Sequence, residues 1–111
     1  EKIAKIHFKN GYLSKSIRSN TLNFFLEKNN INSKIDFLNI DVEGKELEVL
    51  ESFSIEKFNP TLICIEIHNK EKMYDESLLY LKNNEVYNYL LKHKYKIVWN
   101  KKYSFIFEKT V

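Results

Sequence analysis

Residues 35–50 read IDFLNIDVEGKELEVL, the clearest strand, turn and helix pattern in this 111-residue chain. The run from Ile35 to Asp41 is short, mostly apolar and rich in β-formers, which predicts a buried strand ending in an acidic residue. A turn follows at residues 42–44, and apolar side chains then recur at helical spacing from Lys45 to Phe53. The stretch therefore predicts a strand followed by an amphipathic helix. Three glutamates are predicted to lie off its apolar face: Glu46, Glu48 and Glu51.

A second buried strand is predicted at residues 62–68, where LICIEIH follows Pro60. Strand, helix and strand in this order form a βαβ unit, whose two strands run parallel with the helix on one face. The fold class is therefore predicted to be α/β, with these two parallel strands at its centre.

The remaining segments predict further helices and an antiparallel hairpin. Near the start, residues 2–8 alternate weakly, residues 15–20 predict a short edge strand, and Asn20 or Thr21 caps a helix that runs to about Asn29. Later elements are predicted as a mostly helical segment at 77–93 with a break at Asn83-Asn84, and strands at 95–100 and 103–109. The predicted sheet is mainly parallel and ends in an antiparallel β-hairpin.

Composition indicates one small folded domain, with 43% hydrophobic and 30% charged residues. The only glycines are Gly11 and Gly44, which excludes a Gly-rich phosphate-binding loop. The net charge is only +3, because 15 acidic residues offset most of the basic ones, and the basic residues form no dense run. We therefore expect no nucleic-acid partner. Because there is no secretory signal or long apolar run, we expect a cytoplasmic protein without membrane contact. The lone Cys64 excludes an internal disulfide and is predicted to be a small core residue.

Ionisable side chains stand at the carboxyl ends of the two predicted parallel strands, where ligands bind in open α/β sheets. A period of two places Asn39 and Asp41 on one face of the first strand, and Glu43 follows at the turn. Glu66 and His68 share one face of the second strand. A carboxylate at the end of a buried strand costs desolvation energy unless it is paired or binds a ligand. We therefore predict a functional site at this edge, called the rim below.

A purely structural role is open for each of these residues. Glu43 would then only stabilise the helix dipole, Asp41 would only cap the helix, and His68 would be a solvated strand-end residue. Glu66 is harder to explain in this way, because it interrupts an apolar strand.

IDFLNIDVEGKELEVL, at residues 35–50, and NPTLICIEIH, at residues 59–68, resemble the signature half of the FkbM-type methyltransferases. The helix at SNTLNFFLEKNN and the Tyr-containing hairpin extend the resemblance to roughly residues 15–109. It implies a partial Rossmann-like methyltransferase fold, with residues 1–111 as the carboxyl-terminal half of the domain. The implied activity is methyl transfer from S-adenosylmethionine to a hydroxyl of a sugar or other small metabolite.

The resemblance also implies roles for the rim residues. Asp41 and His68 would be catalytic, with His68 as the base because an imidazole accepts protons near neutral pH. Asp41 and Asn39 would contact the methyl donor, and Glu43 and Glu66 would bind the acceptor. No resident metal is predicted.

Departures from the family pattern limit what we expect of the isolated chain. Asn39 stands where Lys is common and Asn23 where Asp is common, each removing a charge near the expected cleft. Lys94 replaces a usual Gly, which should cost about 1 kcal/mol. The Gly-rich loop and the ribose-binding acid have no counterpart, so we expect no activity or donor binding from this chain alone. Uncovered apolar surface should make it self-associate.

Two other functions remain open at this point. In a metal-dependent nuclease, Asp41 and Glu66 would hold Mg²⁺, although such sites have Lys where this chain has His68. The second alternative is a degenerate, non-catalytic binding or assembly module.

Overall fold

A four-stranded mixed sheet organises the computed structural model, which describes residues 11, 13–69 and 77–111. The strand order is β1-β2-β4-β3. β1 and β2 run parallel, whereas β4 pairs antiparallel with both β2 and β3. Their bounds are β1 Phe37–Ile40, β2 Leu62–Glu66, β3 Tyr95–Lys101 and β4 Ser104–Lys109. The parallel pair and the hairpin are confirmed. The expectation of a mainly parallel sheet is wrong for the described residues, because β4 returns between β2 and β3.

The helices follow the predicted order, with one addition. They are α1 Leu22–Lys28, α2 Glu46–Glu51, α3 Ile55–Phe58, a 3₁₀-helix at Leu79–Asn83, and α4 Glu85–Lys92. Thr21 caps α1 by accepting a hydrogen bond from the Phe24 N–H at 3.1 Å. The predicted break at Asn83-Asn84 is confirmed, because the Asn84 side chain accepts from the Tyr87 N–H and starts α4. In the described part of the chain, no helix has the length and apolar character needed to span a bilayer.

The sequence did not predict every segment correctly. The edge strand expected at 15–20 is wrong, because residues 13–20 are exposed and form no regular structure. The weak alternation at 2–8 lies outside the described residues. The short helix α3 was not predicted.

The helices cover one face of the sheet, where the core lies. Ile63 and Ile65 of β2 pair in register with Phe107 and Phe105 of β4, and all four side chains are buried. Alternation along each strand turns these side chains toward the helices. Helical side chains complete this core: Leu26, Leu50, Ile55, Phe58, Leu81, Val86 and Leu90.

The opposite face of the sheet is more exposed. Asn39, Cys64, Ile106 and Trp99 follow one another across it in register, and Trp99 is 48% exposed. Cys64 is half-buried on this face, so the expectation that it belongs to the core is wrong. It faces away from the helices because its neighbours in β2 face toward them. No described helix packs here, and self-association through this face stays a prediction.

Lys94 has a strained backbone conformation, as expected for a residue that replaces a usual glycine. Its φ of 62° lies in the left-handed region, and its carbonyl accepts from the Thr110 N–H at 2.7 Å, which fixes the turn between α4 and β3. A residue with a Cβ pays for this conformation, whereas glycine does not.

We predict that Lys94→Gly raises the free energy of unfolding by about 0.5–1 kcal/mol, because it relieves this strain. Urea unfolding followed by circular dichroism measures the change. The matched control is Lys92→Gly at the last residue of α4, which should lower stability by about 0.5–1 kcal/mol. Destabilisation by both variants would contradict the assignment of strain to Lys94.

Candidate functional site

The parallel pairing of β1 with β2 brings Asp41 and Glu66 to the same edge of the sheet. Ile40 is in register with Ile65, so the next residue of each chain segment is one of these two acids. The pKa of the Cys64 thiol is raised, chiefly by burial and then by the charges of Glu66 and Asp41. Both carboxylates are therefore close enough to act on the Cys64 thiol. The two acidic strand ends are therefore neighbours at this edge of the sheet.

Glu66 and His68 form a direct pair at the end of β2. The Nε2 atom of His68 lies 3.1 Å from Oε2 of Glu66, as expected for residues two apart on one strand face. The Glu66 side chain is 23% exposed and that of His68 is 48% exposed. An ionised carboxylate only accepts hydrogen bonds, so this contact places the ring proton on Nε2. The lone pair of the neutral ring is then on Nδ1, which has no hydrogen-bond partner among the described residues.

Tyr103 adds an aromatic contact to this pair. Its ring stacks on the His68 imidazole, with 4.4 Å between ring centroids and 27° between planes. Tyr103 lies in the turn between β3 and β4, and its carbonyl accepts a hydrogen bond from the Ile67 N–H at 2.8 Å. The sequence analysis placed Tyr103 at the start of the strand predicted at 103–109 and gave it no part in the site. Its contact with His68 depends on the pairing of β2 with β4, which no local pattern revealed.

A cavity of about 440 Å³ opens beside the pair, between the start of α2, the end of β2 and the start of α4. Its volume is in the range of small-molecule sites. Tyr80 lines it and donates a hydrogen bond from its hydroxyl to the Ile67 carbonyl at 3.1 Å. The charged and polar side chains of the lining include Glu46, Glu66, His68, Tyr80, Asn84 and Glu85.

Glu46 is a site residue that the sequence analysis missed. It was predicted to lie off the apolar face, but it is only 6% exposed. The side chain folds back so that Oε1 accepts from the Gly44 N–H at 3.0 Å, which satisfies a donor of the turn before α2. Asp41 makes no side-chain cap of α2, so the alternative that gave it a capping role is wrong. The available signal was the Gly-x-Glu sequence at residues 44–46, which joins the turn after β1 to the start of α2.

The other predicted site residues lie outside the cavity. Asn39 and Glu43 are exposed, and neither belongs to the cavity lining, nor does Asp41. Glu43 has a φ of 51°, which belongs to the turn that leads into α2. The structure therefore brings Glu66 and His68 together at the cavity and places Asp41 beside Glu66 at the rim.

Asn23 does not lie near the rim, contrary to expectation. Its Oδ1 accepts from the Ser54 N–H at 2.9 Å, and its Nδ2 donates to the Ser54 hydroxyl at 3.3 Å. Ser54 follows the far end of α2, whereas Gly44 and the cavity are at its start. The amide of Asn23 thus joins α1 to the start of α3, which is a structural role.

Within the described ranges, no three or more His, Cys, Asp or Glu side chains lie together in a way that could hold a metal ion. A family model described as the methyltransferase FkbM domain matches residues 4–97, which include β1, β2 and the cavity residues. Searches of curated proteins and of solved structures each found no match.

The Glu66–His68 contact predicts which nitrogen of the neutral imidazole carries the proton. We expect ¹⁵N spectra of histidine-labelled protein to show His68 protonated on Nε2 and bare on Nδ1. Glu66→Gln should weaken this preference, because an amide both donates and accepts.

The matched control is Glu108→Gln, which alters a carboxylate that pairs with Lys96 instead. It should leave the His68 nitrogen shifts unchanged. A proton on Nδ1 in the unmodified protein, or no response to Glu66→Gln, would contradict the assigned pairing.

Proposed function

The chain belongs to the FkbM methyltransferase family, and on that premise we propose that it carries the acceptor side of an S-adenosylmethionine-dependent O-methyltransferase. The acceptor is a hydroxyl group of a sugar or another small metabolite. The four strands would then be part of a larger Rossmann-like sheet. The single observation that supports this function most is the Glu66–His68 pair, which leaves a basic nitrogen at the rim.

His68 acts as the general base in this proposal. Nδ1 accepts the proton of the acceptor hydroxyl while the oxygen forms its bond to the methyl carbon. S-adenosylmethionine would supply this methyl group, and its sulfur would keep the electron pair of the carbon–sulfur bond and depart as a neutral thioether. Glu66 stabilises the imidazolium formed at His68, since its carboxylate lies 3.1 Å from Nε2.

The rim residues fit the methyl donor in charge and access. S-adenosylmethionine supplies a methyl group on a positively charged sulfur, and carboxylates favour a nearby cation. Asp41 is exposed beside Glu66. Asn39, whose amide is also exposed, lies two residues before Asp41 and therefore on the same face. These two residues would hold the donor.

The acceptor would occupy the cavity of about 440 Å³ beside His68. Glu66 lines the cavity directly. Glu43 lies in the turn next to Gly44, which is also part of the cavity lining. Carboxylates at these positions would accept hydrogen bonds from further hydroxyls of the acceptor and so orient the reacting one. The family match does not favour the nuclease or the non-catalytic module.

Replacement of His68 provides the test. In the protein encoded by the reading frame that contains this chain, His68→Gln should lower the rate of labelled methyl transfer about 10²- to 10⁴-fold, because glutamine cannot accept the proton. The assay follows label from S-adenosylmethionine into hydroxylated acceptors.

His93→Gln is the matched control, because His93 pairs with Glu56 and lies at the end of α4, away from the rim. It should retain nearly full activity. Undiminished transfer by His68→Gln, or no transfer to any hydroxylated acceptor by the unmodified protein, would refute the proposal.

A further inference from the structure

We propose that Tyr103 is a positioning residue that fixes the plane of the His68 imidazole, so that Nδ1 points toward the acceptor hydroxyl. The role of this contact in catalysis rests on the proposed function. The contact itself follows from geometry: a ring separation of 4.4 Å and an interplanar angle of 27°.

The pair with Glu66 does not define the imidazole plane by itself. The ring plane is set by rotation about the Cβ–Cγ bond, and Nε2 lies close to this axis, so one hydrogen bond at Nε2 restrains the rotation only weakly. The His68 side chain is 48% exposed, so little other packing restrains it. A flat ring stacked on the imidazole face removes this remaining rotation, because turning would break the ring contact.

Tyr103 is itself anchored to the strand that carries His68. Its carbonyl accepts from the N–H of Ile67, the residue directly before His68, at 2.8 Å. The next residue, Ser104, is in register with Glu66. The β2–β4 ladder therefore holds the backbone of Tyr103 and the backbone of the pair in one hydrogen-bonded unit.

The aromatic ring of Tyr103, and not its hydroxyl, is what this role requires. Phenylalanine presents the same ring face to an imidazole, whereas leucine fills similar space without an aromatic face. Tyr103→Phe and Tyr103→Leu are therefore a matched pair of variants. A purely structural role in the turn would not separate them in the measurements below.

Nuclear magnetic resonance of labelled histidine measures the contact without any assay of activity. The unmodified protein should show cross-relaxation between ring protons of His68 and Tyr103, with the His68 protons displaced upfield by the ring current. Tyr103→Phe should keep the displacement and Tyr103→Leu should lose most of it, with amide spectra showing that the fold is retained. Absence of the cross-relaxation in the unmodified protein would overturn the proposal whatever the variants do.

Methyl-transfer kinetics then measure the consequence for the proposed reaction. Tyr103→Leu should lower kcat about tenfold or more with little change in the KM for S-adenosylmethionine, and Tyr103→Phe should restore kcat. Equal kcat for the Leu and Phe variants would overturn the positioning role. If the unmodified protein transfers no methyl group, the proposed function fails, whereas the ring contact is judged by the resonance spectra alone.

Discussion

The register of the parallel pair, with Ile40 opposite Ile65, decides which side chains meet at the rim. Side chains alternate along a strand, so a slip of one residue would turn an acidic strand end to the opposite face. Burial of Ile63 and Ile65 against the helices opposes such a slip, because it would expose both. The apolar core on one face thus fixes the position of Asp41 and Glu66 on the other.

The carboxyl-terminal hairpin completes the site that the parallel pair begins. β4 lies antiparallel beside β2, so the turn before β4 returns to the end of β2 where His68 follows. Tyr95 anchors the start of the hairpin, since its buried hydroxyl donates to the Pro60 carbonyl at 2.8 Å. Burial, followed by the charge of Glu56, raises the pKa of Tyr95, so the hydroxyl stays protonated. Tyr95 thus anchors the open end of the hairpin, and the turn at its other end places the ring of Tyr103 at the rim.

Sequence patterns predicted the features that depend on local spacing. Two apolar runs joined by an amphipathic helix predicted the parallel pair, and the i, i+2 spacing predicted that Glu66 and His68 share a face. The missed features depend on contacts between distant segments or on one side chain's conformation. The stacking of Tyr103 requires the β2–β4 register, and the burial of Glu46 requires its bond to Gly44. Asn23 was placed wrongly because its partner, Ser54, is distant in sequence.

The most direct test of the account is the pattern of proton contacts between β1 and β2 in solution. Nuclear Overhauser spectra should show short Hα-to-amide contacts joining residues 37–40 to residues 62–65, in the order of a parallel pair and with Ile40 adjacent to Ile65. Close Hα-to-Hα contacts of an antiparallel pair, or a register shifted by one residue, would separate Asp41 from Glu66. Either result would contradict the common rim from which the proposed chemistry follows.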